Sequence, residues 1–355
     1  MRRCWQRYAA FWSEREAPDS LALLRITFSI ALIVNLLEQL LSGDVREFYA
    51  LPAEGGIFPF QRPEAGLSLF RIPFLQPTAL TVLLLVWGQL LVAVFLLVGL
   101  WTRLAAIVCF VIQVTLYDRM DLFAFGGDNI FRVFLYLMVL SPAGAAWSLD
   151  ARWRGKGRAD VPRWPRRLFI FQLTVVYVST GLYKIGSTWS VLGGWSALYL
   201  ALNLPGIARW PGDWAAWVYP LTQAGTFISK WWELTFFLVP LNLFLRRRPE
   251  KPGRGRVRRL LARWDLRRVY LPVGVVFHLC LTVLLDLGVF SVAMVSLYPC
   301  LFHPHESRRF LWRILGASAS PGSHPGLADS PGALLQSPQG LQAPSPEGDP
   351  NKAPG

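Results

Sequence analysis

"ALTVLLLVWGQLLVAVFLLVGLW" (residues 79–101) runs for 23 positions without a charged side chain. About 20 apolar residues, coiled as a helix, cross the hydrocarbon of a bilayer. No water reaches the backbone there, so the chain must satisfy its own N–H and C=O groups, which a helix does. The stretch therefore predicts a membrane-spanning helix. The rest of the chain agrees: its 355 residues are 53% hydrophobic, and they come in long runs rather than as one apolar stripe per element.

Working outward from 79–101, we read an all-α, polytopic membrane helix bundle with about eight transmembrane helices. They fall near 20–41, 78–100, 103–118, 131–147, 167–184, 225–245, 269–286 and 288–303. The first begins after a charged segment and is too long for the apolar core of a cleavable signal, so no signal peptide is expected. Residues 1–316 form the membrane domain. From residue 317 the chain is Pro, Gly, Ser and Ala, which cannot bury a core, and a disordered tail is expected over 317–355. Four cysteines are scattered without a CxxC pair, so a disulfide framework is not indicated.

The net charge is +14, and its placement excludes nucleic acid as the partner. Eleven basic residues lie in 246–268 and seven in 151–167, both between apolar runs. Short basic loops beside spanning helices mark the inner face of a membrane. With the N-terminus inside, every basic loop falls inside, together with Arg2, Arg3, Arg7 and Arg15. The loops assigned outside carry no basic excess: 42–77 holds three arginines against four acids. The expected orientation is N-in and C-in, in a bacterial inner membrane, with the lipid bilayer as partner. The same arginines are placed to attract anionic headgroups. Residues 42–77 are rich in Gly and Pro and are expected to form an ordered or re-entrant loop rather than a helix. Residues 185–224 hold five tryptophans, which favour the headgroup level, and 189–203 suits a short in-plane helix.

Ionisable residues inside spanning helices are costly and mark functional sites. Lys184, in "GLYKIGSTW" (181–189), ends the fifth helix at its outer end. Thr174, Tyr177, Thr180 and Lys184 follow helical steps, so they share one face. Such a lysine either snorkels to the headgroups or, partly desolvated, serves as a base or nucleophile. His278, Thr282 and Asp286 recur every four residues along the seventh helix. His278 is either packed against a neighbouring helix or part of a proton relay. Glu233, in "KWWELTFF", needs a partner inside the bundle. Asp128, in "FAFGGDNIF", suits an N-cap or first-turn acid, and the glycines before it allow close approach of a ligand. Arg25 either snorkels or meets a carboxylate. No metal-ligand spacing, nucleotide loop or hydrolase triad is present. Helices five to seven are expected to enclose an outward-facing polar cleft.

At these residues the chain resembles the HTTM domain family, related to the membrane domain of vitamin K-dependent gamma-carboxylase. The resemblance is carried, in order, by "LALLRITFS", "GLWTRLAAIV", "GGDNIFRVFLYLMVLSPAGAAWSLDA", "TGLYKIGSTW", "WWELTFFLVP" and "VVFHLCLTVLLDLGVFSVAMV". Together they cover about residues 15–305. It implies that Lys184, spaced from Gly181 and Trp189 as in the family, is the base that deprotonates a reduced vitamin K or other quinol. It gives His278 and Glu233 supporting catalytic roles, and leaves Tyr177, Thr180, Trp189 and Thr282 to line a site for a quinol-like or lipid-like molecule. Oxygen or carbon dioxide would be co-substrate. Two departures stand out. The histidine that the animal enzyme places at the start of the fourth helix falls here on Gly127 or Asp128, so Asp128 is the residue available to replace it. The animal enzyme's membrane domain is followed by a large lumenal portion that helps bind its protein substrate, whereas a disordered tail is expected here, so carboxylation of a propeptide-bearing protein is not expected to transfer. The alternative is a non-enzymatic membrane factor for maturation of, or immunity to, an exported peptide.

Overall fold

The computed structural model describes Trp5 and residues 10–56, 78–117, 126–155, 159–246 and 263–315. The opening stretch forms α3 (Ala79–Val98), preceded by α1 (Asp19–Ser42) and α2 (Asp44–Tyr49) and followed by α4 (Thr102–Tyr117) and α5 (Gly126–Leu140). Next come α6 (Leu149–Trp153), α7 (Trp164–Tyr183), α8 (Ala197–Leu202), α9 (Tyr219–Leu234), α10 (Leu238–Arg246), α11 (Arg267–Leu284), α12 (Phe290–Ser296) and α13 (Pro304–Leu315). Among the described residues, a two-residue ribbon, β1 (Arg15–Glu16) with β2 (Val161–Pro162), adds to the all-helical expectation; Glu16 pairs with Val161.

The ends of α3 show why it forms where it does. The Thr78 hydroxyl accepts from the Thr81 N–H at 3.2 Å, satisfying one donor that a helix start leaves open. Gly99 closes the helix at φ 72°, in the left-handed region open to glycine. A Cβ there would lie 2.3 Å from the Ser148 Cβ and 2.4 Å from an Arg25 nitrogen, so the turn also needs its lack of a side chain.

α1 packs on α3 and α12, α3 on α4, α4 on α5, and α7 on α9. The core is apolar, but the burial pattern departs from that of a water-soluble bundle in two ways. Arg25, Asp19 and Gln89 are fully covered, while Leu80, Leu84 and Leu91 of α3 stand more than half exposed. In α11 the buried residues are Arg267, Gly274 and His278, while Val269, Val275, Val276 and Val283 face outward. Apolar side chains outward and polar ones inward suit a lipid surround. Among the described residues, α1, α3 and α11 are long and apolar enough to cross a membrane, and α4 and the 290–301 segment are shorter apolar helices.

Several predicted boundaries change. The helix expected at 131–147 begins at Gly126 and ends at Leu140, because Ser141 precedes Pro142 and is steered away from helical geometry. The helix expected at 225–245 is interrupted between Leu234 and Leu238. Pro240 explains the interruption: it has no N–H to give and would crowd the carbonyl of residue 236. The eighth helix, expected at 288–303, is α12 followed by a 3-10 turn at Tyr298–Leu301, where Pro299 opens the tighter turn. In 42–77, taken as loop, α2 is helical; the part from 57 lies outside the described residues. The in-plane helix expected at 189–203 resolves into 3-10 turns at Ser187–Trp189 and Val191–Gly193 and the short α8. Most of the basic loop 246–268 and the 317–355 tail also lie outside the described residues.

One end of the bundle gathers buried arginines. Arg166 grips Glu16 with two hydrogen bonds, at 2.5 and 2.6 Å, and also donates to the Cys300 and Phe302 carbonyls. Arg267 binds Asp265, Glu306 and the Leu301 carbonyl. Arg25 neither snorkels nor meets a carboxylate in a salt bridge; it donates to the Ala143 and Trp147 carbonyls, tying α1 to the turn after α5. The N-terminal arm, the 99–103 turn, the 141–163 connection and the starts of α11 and α13 thus meet at this basic end.

Candidate functional site

At the opposite end, α7 stops at Tyr183 and Lys184 becomes its C-cap. α9 runs alongside and stops at Leu234. The two can touch because residue 181 is glycine: a Cβ there would fall 2.7 Å from the Leu234 backbone nitrogen. This close seam brings the Lys184 Nζ within 2.5 Å of the Glu233 Oε2. The side chains are 16% and 7% exposed, so the pair is largely withdrawn from water. Helix C-terminal ends carry partial negative charge, which favours a cation beside them. The ammonium also sits 4.7 Å from the centre of the Trp189 ring and 5.9 Å from that of Phe277. Thr180 adds a hydroxyl beside the Glu233 carboxylate, although its own O–H donates to backbone oxygens of Val176 and Tyr177.

Beneath this pair lies a neutral chain of hydrogen bonds. The Tyr177 hydroxyl is 2.8 Å from the His278 Nε2 and 2.9 Å from the Tyr298 hydroxyl. Tyr177 and His278 are each 2% exposed. The other imidazole nitrogen, His278 Nδ1, is buried without a hydrogen-bond partner among the described residues. Gly274, one turn before His278, makes room for the chain: a Cβ there would be 2.1 Å from the Tyr298 oxygen and 2.7 Å from the Trp232 ring. Trp232 packs edge-on against Tyr177 at 4.8 Å, and Phe277 lies tilted against Trp232 at 5.5 Å, so rings join the ion pair to the tyrosine–histidine chain.

The structure therefore unites Lys184, Glu233, Trp189, Tyr177, Thr180 and His278. It leaves three expected residues apart. Asp128 lies in the first turn of α5, as its position predicted, with Tyr49 of α2 nearby rather than Lys184. Thr282 turns its hydroxyl to the His278 carbonyl within α11 and adds no bond to the site. Asp286 lies beyond the end of α11 and meets Arg209 at 3.2 Å, so the three-residue stripe read from the sequence ends with its helix. Tyr298 and Lys230 were not anticipated. Lys230 donates to the Trp189 carbonyl at 3.0 Å and fastens the 187–193 turns beside the ion pair. Its spacing from Glu233, three residues on one helix face, was the available signal. Tyr298 sits beside a proline in a predicted helix, where nothing distinguishes an inward phenol.

Among the described residues no group of three or more His, Cys, Asp or Glu is arranged to hold a metal ion. The arrangement offers a charged pair able to exchange a proton and, below it, hydroxyl and imidazole groups able to carry one.

These features define a helical membrane protein with a polar site set between its helices. The chain belongs to the HTTM domain family, whose model matches residues 14–207, just over half of its length. The HTTM domain is a membrane domain of gamma-carboxylase-like proteins. No solved structure matches the chain. The matched stretch contains Asp128, Tyr177, Thr180, Lys184 and Trp189; Glu233, His278 and Tyr298 lie beyond it and are joined to the site by the fold.

Proposed function

We propose that this protein is a multi-pass membrane enzyme of about eight spans, N-in and C-in, that deprotonates a quinol-like molecule at an outward-facing site. The observation that carries the reading is the 2.5 Å contact between Lys184 and Glu233. An ammonium held by a carboxylate is not itself a base. Once a bound ring excludes water from the pair, transfer of its proton to Glu233 leaves a neutral amine and a neutral acid, which such a dry site favours over two charges. The amine then accepts the hydroxyl proton of the quinol: an O–H bond breaks, an N–H bond forms, and a phenolate remains beside the new ammonium. Trp189 and Phe277 offer flat apolar surface for a ring. Tyr177, His278 and Tyr298 offer a route for protons below it. Reduced vitamin K is the substrate that the family relation suggests, with oxygen or carbon dioxide as co-reactant and a bacterial inner membrane as setting.

The test is epoxide formation from reduced vitamin K in purified membranes, comparing wild type with Lys184→Ala. Activity in the wild type and its loss in the variant support the reading. Equal activity in both removes Lys184 as the base, and no activity in the wild type removes this substrate. The orientation is tested separately, with single cysteines placed in 246–268. Labelling from outside intact cells would refute N-in and C-in.

One observation favours a second reading, a non-enzymatic factor for maturation of or immunity to an exported peptide. The turns beside Lys184 present exposed apolar side chains at Tyr183, Ile185, Val191 and Leu192. That reading expects Lys184→Ala to be tolerated and polar substitutions at Val191 and Leu192 to abolish function in cells.

A further inference from the structure

A second site lies at the basic end, far along the bundle from the ion pair. A groove of about 640 Å³ opens between the start of α4, the turn after α5 and the entry to α7. That volume is in the range of small-molecule sites. Its floor is apolar, formed by Leu140 and Pro165 among others, and its rim is basic and aromatic, with Arg103, Arg154, Trp153 and Trp164. We propose that this groove binds the phosphate-bearing headgroup of an anionic phospholipid.

The charges favour an anion. Arg103 is exposed, and no hydrogen bond or ion pair is described for it. It is the second residue of α4, at the end of the helix whose partial charge is already positive, so a bound anion relieves an unfavourable placement. Arg154 is held rigidly: it donates to the Asp150 carbonyl at 2.9 Å and the Gly144 carbonyl at 2.7 Å, which fixes the guanidinium in the groove wall with N–H groups to spare. Asp150 also lines the groove, but its carboxylate is committed. It accepts from the Trp101 and Thr102 N–H groups and from the Thr102 hydroxyl, at 2.7 to 2.8 Å. Two arginines against one saturated carboxylate leave the groove positive.

The surroundings favour a lipid over a soluble phosphate. Trp153 is 65% exposed, and amphipathic rings of this kind settle at headgroup depth. Trp101 and Leu104 continue the exposed apolar surface from the groove along α4, where an acyl chain would lie. The inference rests on the proposed orientation only in assigning the groove to the inner leaflet.

The full-length protein, purified in neutral detergent, would be titrated with phosphatidylglycerol or phosphatidylcholine and its adducts counted by native mass spectrometry. We expect one phosphatidylglycerol retained over phosphatidylcholine. Arg103→Gln should weaken it about fivefold, which corresponds to the ~1 kcal/mol of a basic residue beside an anionic surface. Arg103→Lys should keep most of the binding, and Arg309→Gln, a charge outside the groove, should keep all of it. Equal retention by wild type and Arg103→Gln overturns the proposal, as does an equal loss in Arg309→Gln. Glycerol 3-phosphate displacing the lipid at equal concentration also overturns it, because the groove would then recognise a free phosphate ester. Arg154→Gln disturbs two structural hydrogen bonds, so Arg103 carries the test. Because the lipid reaches both ends in detergent, a wrong orientation would appear only in cysteine labelling.

Discussion

Replacing Lys184 by methionine keeps an unbranched stem of similar length and removes the charge. Glu233, 7% exposed, then loses its cation and keeps only the neighbouring Thr180 hydroxyl. Breaking a buried pair by deleting one partner costs about 3–5 kcal/mol when the orphan cannot reach water. The 16% exposure of the Lys184 side chain shows that water reaches the rim of this pair, so the cost falls below that range and we expect about 2–3 kcal/mol. The reverse change, Glu233→Gln, should cost less, about 1–2 kcal/mol, because a carboxamide oxygen still accepts from Lys184. The ammonium also keeps its place above the Trp189 ring, 4.7 Å away. The double variant removes both charges and should resemble Glu233→Gln rather than the sum, giving a coupling of about 2 kcal/mol. The assay is reversible unfolding in mixed detergent, followed by tryptophan fluorescence, for the four proteins of the cycle. Additive effects within about 0.5 kcal/mol would refute the reasoning, since exposed ion pairs couple that weakly. A larger loss from Glu233→Gln than from Lys184→Met would refute the assignment of the carboxylate as the more deeply buried partner.

Three further expectations use the same measurements. Gly181→Ala puts a methyl group 2.7 Å from the Leu234 nitrogen, so α7 and α9 must part; we expect about 1–3 kcal/mol of destabilisation and a weakened Lys184–Glu233 coupling. Tyr298→Phe removes one of the two hydrogen-bond partners of the Tyr177 hydroxyl and should cost about 1 kcal/mol while leaving the ion-pair coupling unchanged. At the basic end, burial pushes Asp150 up, but hydrogen bonds from Thr102 and Trp101 and the Arg154 charge bring it below the ordinary 3.8. Burial likewise pushes Glu306 up, and Arg267 and the His303 N–H bring it below 4.5; for Asp265 the Arg267 hydrogen bond leads the lowering. A depressed folded value means that the stabilisation is complete above the unfolded value and lost as pH falls through the folded one. The contribution of these three carboxylates should thus be flat above about pH 5 and fall below about pH 4. Asp150→Asn should make that acid limb shallower, as read in unfolding curves from pH 3 to 7.

Some of this was written plainly in the residues. An uncharged run such as 79–101 admits one backbone solution in lipid, and α3 starts with it at Ala79 and ends three residues before its close, at Val98. Lys184 was legible because a lone cation closing an apolar run has few explanations, and helical spacing placed Tyr177 on its face. Where reading failed, a local signal competed with a pattern. Pro240 lay inside an apolar stretch that otherwise reads as one helix, and the interruption it causes sets the end of α9 beside Lys184. The i, i+4, i+8 spacing of His278, Thr282 and Asp286 assumed a helix that continues, whereas α11 ends at Leu284.

The partnerships themselves could not be read from spacing. Lys184 and Glu233 are 49 residues apart, and Tyr177 and His278 are 101 apart. Such pairs are fixed by which helices touch, and here contact depends on what is missing from the side chains. Gly181 lets α9 approach α7, and Gly274 admits Tyr298 and Trp232 to the space beside His278. Each glycine lies within one helical turn of the polar residue it serves, at 181 before 184 and at 274 before 278. A small residue one turn from a charged or ionisable one, within an apolar helix, marks a place where another backbone or ring comes close. Where that neighbour brings Glu233 to Lys184, or Tyr298 to the Tyr177–His278 chain, the cost of burying a polar group is offset by a partner, and a site can persist inside lipid.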